Sequence, residues 1–187
     1  MLIMGLVVGF QIGAAFSSSP NPPHATTTTA FVTTSPQVQA AVDLVEYCFS
    51  PGGNCVSLVV KWIDRANSSV HVLIYSFTLD AIRNALIAAK NRGVDVKVVM
   101  ERSNANEKGA EYQNLKNAGV DIRLDTNSGL MHDKVVVIDG RIILTGSYNY
   151  SAAATTSNNE NLVVIDSTSW GLAFEAQFQQ VYYQATL

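Results

Sequence analysis

Charge is scarce in this 187-residue chain: Asp, Glu, Lys and Arg together make up 14 % of it, and the net charge is −3. That excludes a surface coated with Lys and Arg for gripping polyanions, so any nucleic-acid binding has to come from a local basic patch. There are only two cysteines, and no histidine lies near either in sequence, so the ligand spacing of a zinc site is missing. No cluster of carboxylates is spaced to hold Mg²⁺ or Ca²⁺. Internal repeats are absent. Long hydrophobic runs are absent too: "MLIMGLVVGFQIGAAF", residues 1–16, falls short of the roughly 20 residues of a membrane-spanning helix. That run also lacks the basic flank of a secretory leader.

What is present suits one compact domain. Hydrophobic residues make up 48 % of the chain, enough to bury a core at this length. Residues 1–16 read as a signal peptide or a membrane anchor, with Gly13 and Ala15 placed as a signal-peptidase site requires. Either form implies export to the periplasm or the exterior, with membrane attachment through this segment as the second option. Residues 17–36, "SSSPNPPHATTTTAFVTTSP", are a Ser/Thr/Pro-rich linker too poor in large apolar groups to fold. His24 lies there and carries no chemistry. Cys48 and Cys55 bracket the turn-forming stretch "FSPGGN" and are a disulfide candidate in an oxidising compartment, with two reduced thiols as the alternative.

Residues 37–187 form the remaining domain, and strand and helix patterns alternate along it. "VDLVEYCF" reads as a strand and "CVSLVVKWIDRANSS" as a helix with Val56, Val59, Val60 and Ile63 on one face. "VHVLIYSF" is an apolar run of strand length, buried on both faces; His71 within it shares a side with Leu73 and Tyr75 and reads as structural. Thr78 is placed to cap a helix carrying Ile82, Ala85, Leu86 and Ala89, which Gly93 ends. "VDVKVVM" is a strand, a more polar helix spans about 105–118 up to Gly119, and "VDIRL" is a strand again. "NLVVID" and "SWGLAFEAQFQQVYY" supply a late strand and a closing helix. This order predicts an α/β fold: a mixed, largely parallel sheet sandwiched by helices.

The chemistry gathers in "MHDKVVVIDGRIILTGSYNY", residues 131–150. Asp139-Gly140 between two apolar runs is a strong two-residue hairpin signal. That turn sets Ile138 opposite Arg141, His132 opposite Ser147 and Lys134 opposite Thr145. Alternation then puts His132, Lys134, Ser147 and Asn149 on one side, at the open end of the hairpin. An imidazole can attack phosphorus or move a proton near neutral pH. An ammonium, an amide and a hydroxyl can hold phosphate oxygens. The set reads as a phosphoryl-transfer site with no cofactor and no metal; the alternative, from these residues alone, is a solvated hairpin end with chance polar residues.

The same residues resemble the phospholipase D superfamily. "HDKVVVID" is similar to its His-x-Lys-x4-Asp signature through His132, Lys134 and Asp139. "GSYN", opening at Gly146, resembles the Gly-Ser-x-Asn element, and "NNENLVVI" the later segment that carries a glutamate, here Glu160. The likeness runs over about residues 42–183, most closely to the small bacterial non-specific endonuclease of the superfamily. It implies a phospholipase D-like catalytic domain with His132 as a nucleophile forming a phosphohistidine. It also implies that Lys134 and Asn149 grip the phosphate, Ser147 supports the site and Glu160 orients the His132 ring. Asp139, in the turn, is expected to be structural although the signature includes it. Glu101 stands where an acidic residue often follows the strand.

Hydrolysis by this route needs an acid as well as a nucleophile, and one signature supplies one histidine. A homodimer with a two-fold axis through the site would supply both. The expected substrate is DNA or RNA, favoured because the helices show no spare broad apolar stripe for docking on a bilayer. The alternative is phospholipid, hydrolysed as a phospholipase D would.

Overall fold

The structure is a computed structural model that describes residues 43–186. The leader or anchor expected at 1–16, the linker at 17–36 and His24 lie outside the described residues. Among the described residues, no helix is long and apolar enough to cross a membrane.

The strands are β1 (Asp43–Ser50), β2 (Ser69–Ile74), β3 (Asp95–Met100), β4 (Asp121–Leu124), β5 (Lys134–Ile138), β6 (Ile142–Gly146) and β7 (Glu160–Asp166). The helices are α1 (Cys55–Asp64), α2 (Asp80–Asn91), α3 (Tyr112–Asn117), α4 (Ala152–Thr156) and α5 (Thr168–Gln184). All seven strands join one sheet in the order β1-β7-β6-β5-β2-β3-β4. Only β2–β3 and β3–β4 are parallel; β1–β7, β2–β5, β5–β6 and β6–β7 are antiparallel. The α/β sandwich is therefore as expected, but the sheet is mostly antiparallel, not largely parallel. The β5–β6 hairpin sits mid-sheet and runs against β2, which leaves only the β2–α2–β3–α3–β4 stretch with parallel crossovers.

Alternation along the strands divides the core. Val70, Val72, Ile74, Val96, Val98, Val136 and Leu144 face the side covered by α1, α2 and α3. Leu73, Val99, Val135, Val137 and Ile143 face α5, which brings Phe178 and Tyr182. Helix α2 buries Ile82, Ala85, Leu86 and Ala89, as its spacing predicts. Helix α1 buries Cys55, Leu58, Val59 and Ile63, so the stripe is centred one position from the predicted face, and Val56 and Val60 are only partly covered.

Two local expectations fail. Thr78 does not cap α2: the N-cap position is Leu79 without a side-chain bond. The Thr78 backbone N–H instead donates to Tyr150 O at 2.7 Å, because this segment extends β2 alongside residues 148–150. Of the polar helix expected over 105–118 only the six residues of α3 form, and a 3₁₀ turn at Arg102–Asn104 precedes that range. Between them Glu111 Oε1 and Oε2 each accept from Arg83 Nη1 at 2.9 Å, which fixes an irregular stretch in place of a first helical turn.

Cys48 and Cys55 are joined by a disulfide, Sγ–Sγ 2.07 Å. It ties the end of β1 to the start of α1. His71 is buried on the α5 side, with Nδ1 2.8 Å from Glu175 Oε1 and its ring stacked on Phe178 at 4.5 Å.

Candidate active site

Strands β2, β3 and β4 end, and β5 and β7 begin, at the same edge of the sheet. Open α/β sheets place their ligand sites outside the carboxyl ends of parallel strands, and a cavity of about 290 Å³ lies at this edge. It is lined by His132, Lys134, Gly146, Ser147, Asn149 and Glu160. Every side chain that sequence reasoning assigned to the chemistry thus meets in one place.

The route to that meeting differs from the hairpin derivation. The turn bond is present, Arg141 N–H to Ile138 O at 3.0 Å, with Asp139 and Gly140 at φ 52° and 63°. Yet the ladder pairs Ile138 with Ile142 and Val135 with Thr145, one residue out from the expected register, so Lys134 does not face Thr145. Arg141 is the extra residue. Its carbonyl accepts from Ser167 N–H at 3.1 Å and its guanidinium grips Asp166, so it serves β7 and its flank rather than the hairpin.

A second irregularity restores the polar set. Ser147 and Tyr148 N–H both donate to Asn161 O, at 3.1 and 3.2 Å, two residues against one as in a β-bulge. The bulge depends on Gly146: a Cβ there would lie 2.2 Å from Asn161 O. Beyond it Tyr148 and Tyr150 plunge into the core, at 0 % and 2 % exposure. Ser147 and Asn149, which alternate with them, are turned to the cavity.

The site side chains differ in how firmly they are held. Lys134 is buried, its ammonium 4.9 Å from the centroid of the Tyr75 ring and 2.5 Å from His132 O. Burial pulls its pKa below the ordinary lysine value, although the charges of Asp133 and Glu160 oppose this. Asn149 Oδ1 accepts from Ser76 N–H at 3.2 Å, which leaves the Nδ2 donors of the amide free for a ligand. Ser147 Oγ accepts from Asn161 N–H at 3.1 Å. His132 is exposed, and its ring lies tilted against that of Tyr75, ring centroids 4.6 Å apart. Glu160 lines the cavity with His132 but makes no hydrogen bond to its ring among the described residues. Its Oε1 accepts from Asn158 Nδ2 at 3.1 Å, a neighbour only two residues away.

Asp139 lies at the other end of β5, five residues from Lys134, or roughly 16 Å along the strand. Its carboxylate accepts from the backbone N–H groups of Asn67, Ser68 and Ser69 at 3.0, 2.7 and 2.9 Å, and from Ser68 Oγ at 2.8 Å. Burial works against its ionisation, but these bonds outweigh it and hold the carboxyl at about 2. It clamps the α1–β2 loop and touches no phosphate-binding group.

Two contributors escaped sequence reasoning. Tyr75 forms a wall against both His132 and Lys134; its place one residue past a buried strand was the available signal. Glu101 was noticed without a role. It is buried, and it accepts from Met131 N–H at 2.8 Å and from Ser103 N–H and Oγ at 3.0 and 2.8 Å. Burial raises its pKa, but those donors win and the carboxyl stays below the ordinary range. Its anion thereby fixes the residue immediately before His132. Among the described residues, no three His, Cys, Asp or Glu side chains are grouped as a metal site requires.

Residues 59–182 match the family model described as cardiolipin synthase, PLD-like domain. A curated phospholipase D of Rickettsia felis is 37 % identical over 122 residues, 65 % of this chain and 61 % of that protein. A mitochondrial cardiolipin hydrolase of Xenopus tropicalis is 32 % identical over 120 residues, 64 % of this chain and 57 % of that one. The chain therefore spans only about 60 % of the length of the curated relatives it matches. Among solved structures, the phospholipase D family member Nuc from Salmonella typhimurium aligns with a TM-score of 0.72 at 35 % identity, over 79 % of this chain and 97 % of that one. NucT from Helicobacter pylori aligns at 0.66 and 27 % identity, over 75 % and 99 %. The family match covers strands β2 to β7, the bulge at Gly146 and every lining residue of the cavity, and the chain belongs to the phospholipase D superfamily.

Proposed function

We propose that the chain is a metal-independent phosphodiesterase, a non-specific endonuclease that works through a phosphohistidine. The observation that carries this reading is the single cavity in which His132, Lys134, Ser147, Asn149 and Glu160 converge. His132 attacks phosphorus, a P–N bond forms as the P–O bond to the leaving group breaks, and water then cleaves the P–N bond. Lys134 and the free Asn149 amide hydrogens stabilise the charge on the non-bridging oxygens. Ser147 stiffens the bulge, and the negative charge of Glu160 steadies the ammonium of Lys134.

One chain offers one such histidine, and it is exposed. A homodimer with the two cavities facing across a two-fold axis supplies the second imidazole as the acid for the leaving oxygen. The Cys48–Cys55 disulfide supports folding in an oxidising compartment, hence export, with the apolar residues 1–16 as leader or anchor.

Phospholipid is the second reading, favoured by relatives named phospholipase D and cardiolipin hydrolase. The nuclease reading is supported by the near-complete coverage of Nuc and NucT and by resemblance to the small endonuclease of the family. The test is hydrolysis of plasmid DNA and of phosphatidylcholine vesicles at matched phosphodiester concentration, with EDTA present. Faster cleavage of DNA is expected; faster cleavage of the vesicles replaces the nuclease with the phospholipase.

A further inference from the structure

His132 borders a second cavity. A groove of about 400 Å³ opens on its far side, between the loop over residues 125–133 and the C-terminal half of α5. Gln177, Gln180 and Gln184 line it from the helix, and Asn127 and Asp133 from the loop. The three glutamines stand at i, i+3 and i+7, one stripe of the helix, and all are exposed. Other polar side chains of α5 are already used: Glu175 bonds His71 and Gln179. The amides of Gln177, Gln180 and Gln184 have no hydrogen-bond partner among the described residues.

We infer that this groove is a subsite for the nucleobase next to the scissile phosphate, an inference that rests on the nuclease reading above. Three features carry it. First, the groove shares His132 with the phosphate cavity, so a group entering it is one link from the reacting phosphorus. Second, no Lys or Arg lines it while Asp125 and Asp133 do, so a second phosphate is disfavoured and a neutral group preferred. Third, a glutamine amide carries donors and an acceptor on one rotatable end, so a row of them pairs with the edge of any base. That accounts for binding without sequence preference. Leu130, exposed at the rim, adds an apolar contact for the face of the base. A choline headgroup is the wrong occupant, because recognition of a quaternary ammonium uses aromatic faces and the lining contains none.

The experiment compares the full chain with its Gln177→Ala/Gln180→Ala variant on three substrates: a short single-stranded oligonucleotide, bis(p-nitrophenyl) phosphate, which has no base, and phosphatidylethanolamine vesicles. Both glutamines are exposed on a long helix, so the variant folds. Losing two hydrogen bonds should raise KM for the oligonucleotide roughly 10-fold with kcat nearly unchanged, and leave the base-free diester untouched. An unchanged KM for the oligonucleotide overturns the subsite alone. So does a parallel loss on the base-free diester, or a change in oligomeric state by light scattering. A selective loss on vesicles makes the groove a headgroup site instead. A wild-type chain that cleaves the base-free diester but not the oligonucleotide refutes the nuclease reading, and the subsite with it.

Discussion

The two ends of the β5–β6 hairpin carry residues of one sequence signature under opposite physical conditions. At the closed end Asp139 is saturated, its carboxylate bonded by three backbone N–H groups and a hydroxyl. At the open end His132 is exposed and tilted against the ring of Tyr75, and Lys134 is buried with a carbonyl and an aromatic face beside its ammonium. A side chain whose bonds are all made holds structure; one kept short of partners is available to a ligand. The signature thus joins a clamp to a reaction centre, and substitutions at the two ends should separate activity from stability.

The largest effect is expected at the open end. His132→Ala should abolish phosphodiester hydrolysis while thermal unfolding monitored by circular dichroism stays within experimental error of wild type, since an exposed ring contributes little packing. Substantial residual turnover would remove the histidine from the chemistry. Mixing this variant with wild-type chains should yield heterodimers that are largely inactive, measured as activity against mixing ratio.

Next come Lys134→Ala and Asn149→Ala, each lowering kcat by roughly 10²–10³-fold, the usual scale for one transition-state donor. Burial holds the Lys134 pKa below the ordinary lysine value, so the loss of activity on raising pH should begin earlier than a free lysine would give. A pH–rate profile checks this, and an alkaline limb at or above the ordinary lysine range would contradict it.

The closed end should respond in stability. Asp139→Asn removes the charge but tolerates the positive φ, and should cost about 2 kcal/mol by denaturant unfolding, with kcat unchanged in the folded protein. The sign with pH follows from the shift. Its carboxyl is held at about 2 against an ordinary 3.8, so the ionised form stabilises the fold fully above the ordinary value. That contribution is lost as pH falls through 3.8 towards 2. Wild type should show this acid weakening and the Asn variant should lack it; equal acid profiles would mean the clamp is energetically idle.

The smallest effect is expected just behind the open end, where Glu101 holds Met131. Glu101→Gln keeps an acceptor for Met131 N–H but loses the anion, and should lower kcat by roughly 10-fold or less with KM little changed, a shift of about 1 kcal/mol. A change in KM alone would place Glu101 in binding.

Much of this was legible in the sequence, for identifiable reasons. Strands and helices with strong periodicity, such as β2, α2 and β3, lie where their patterns put them, because burial there is decided by residues a few positions apart. The membership of the site was also legible, since one of only three histidines stands beside a lysine at the open end of a hairpin that brings Ser147 and Asn149 to the same side. The hairpin register was not. It turns on Arg141 being claimed by Asp166 and Ser167, partners some 25 positions away. The bulge at Gly146 that repairs the consequence depends on how closely Asn161 approaches. Sheet direction failed likewise, because whether β5 runs with or against β2 is settled by pairing between distant segments, not by either strand alone. Tyr75 and Gln177 joined the site through the same long-range placement.

One feature of the sheet bears on how the chain reaches this state at all. β1 pairs with β7 from Asp43↔Asp166 to Ser50↔Glu160, so the first strand of the described fold waits for the last. Contacts closed over more than a hundred residues make folding slow, since the entropy of so long a loop is lost before the pairing repays it. During synthesis β1 has no partner until β7 has emerged, and its exposed Tyr47 and Phe49 stand unpaired for that whole interval. The sheet is therefore completed as a late, single event, and the folding chain is most prone to aggregation just before it.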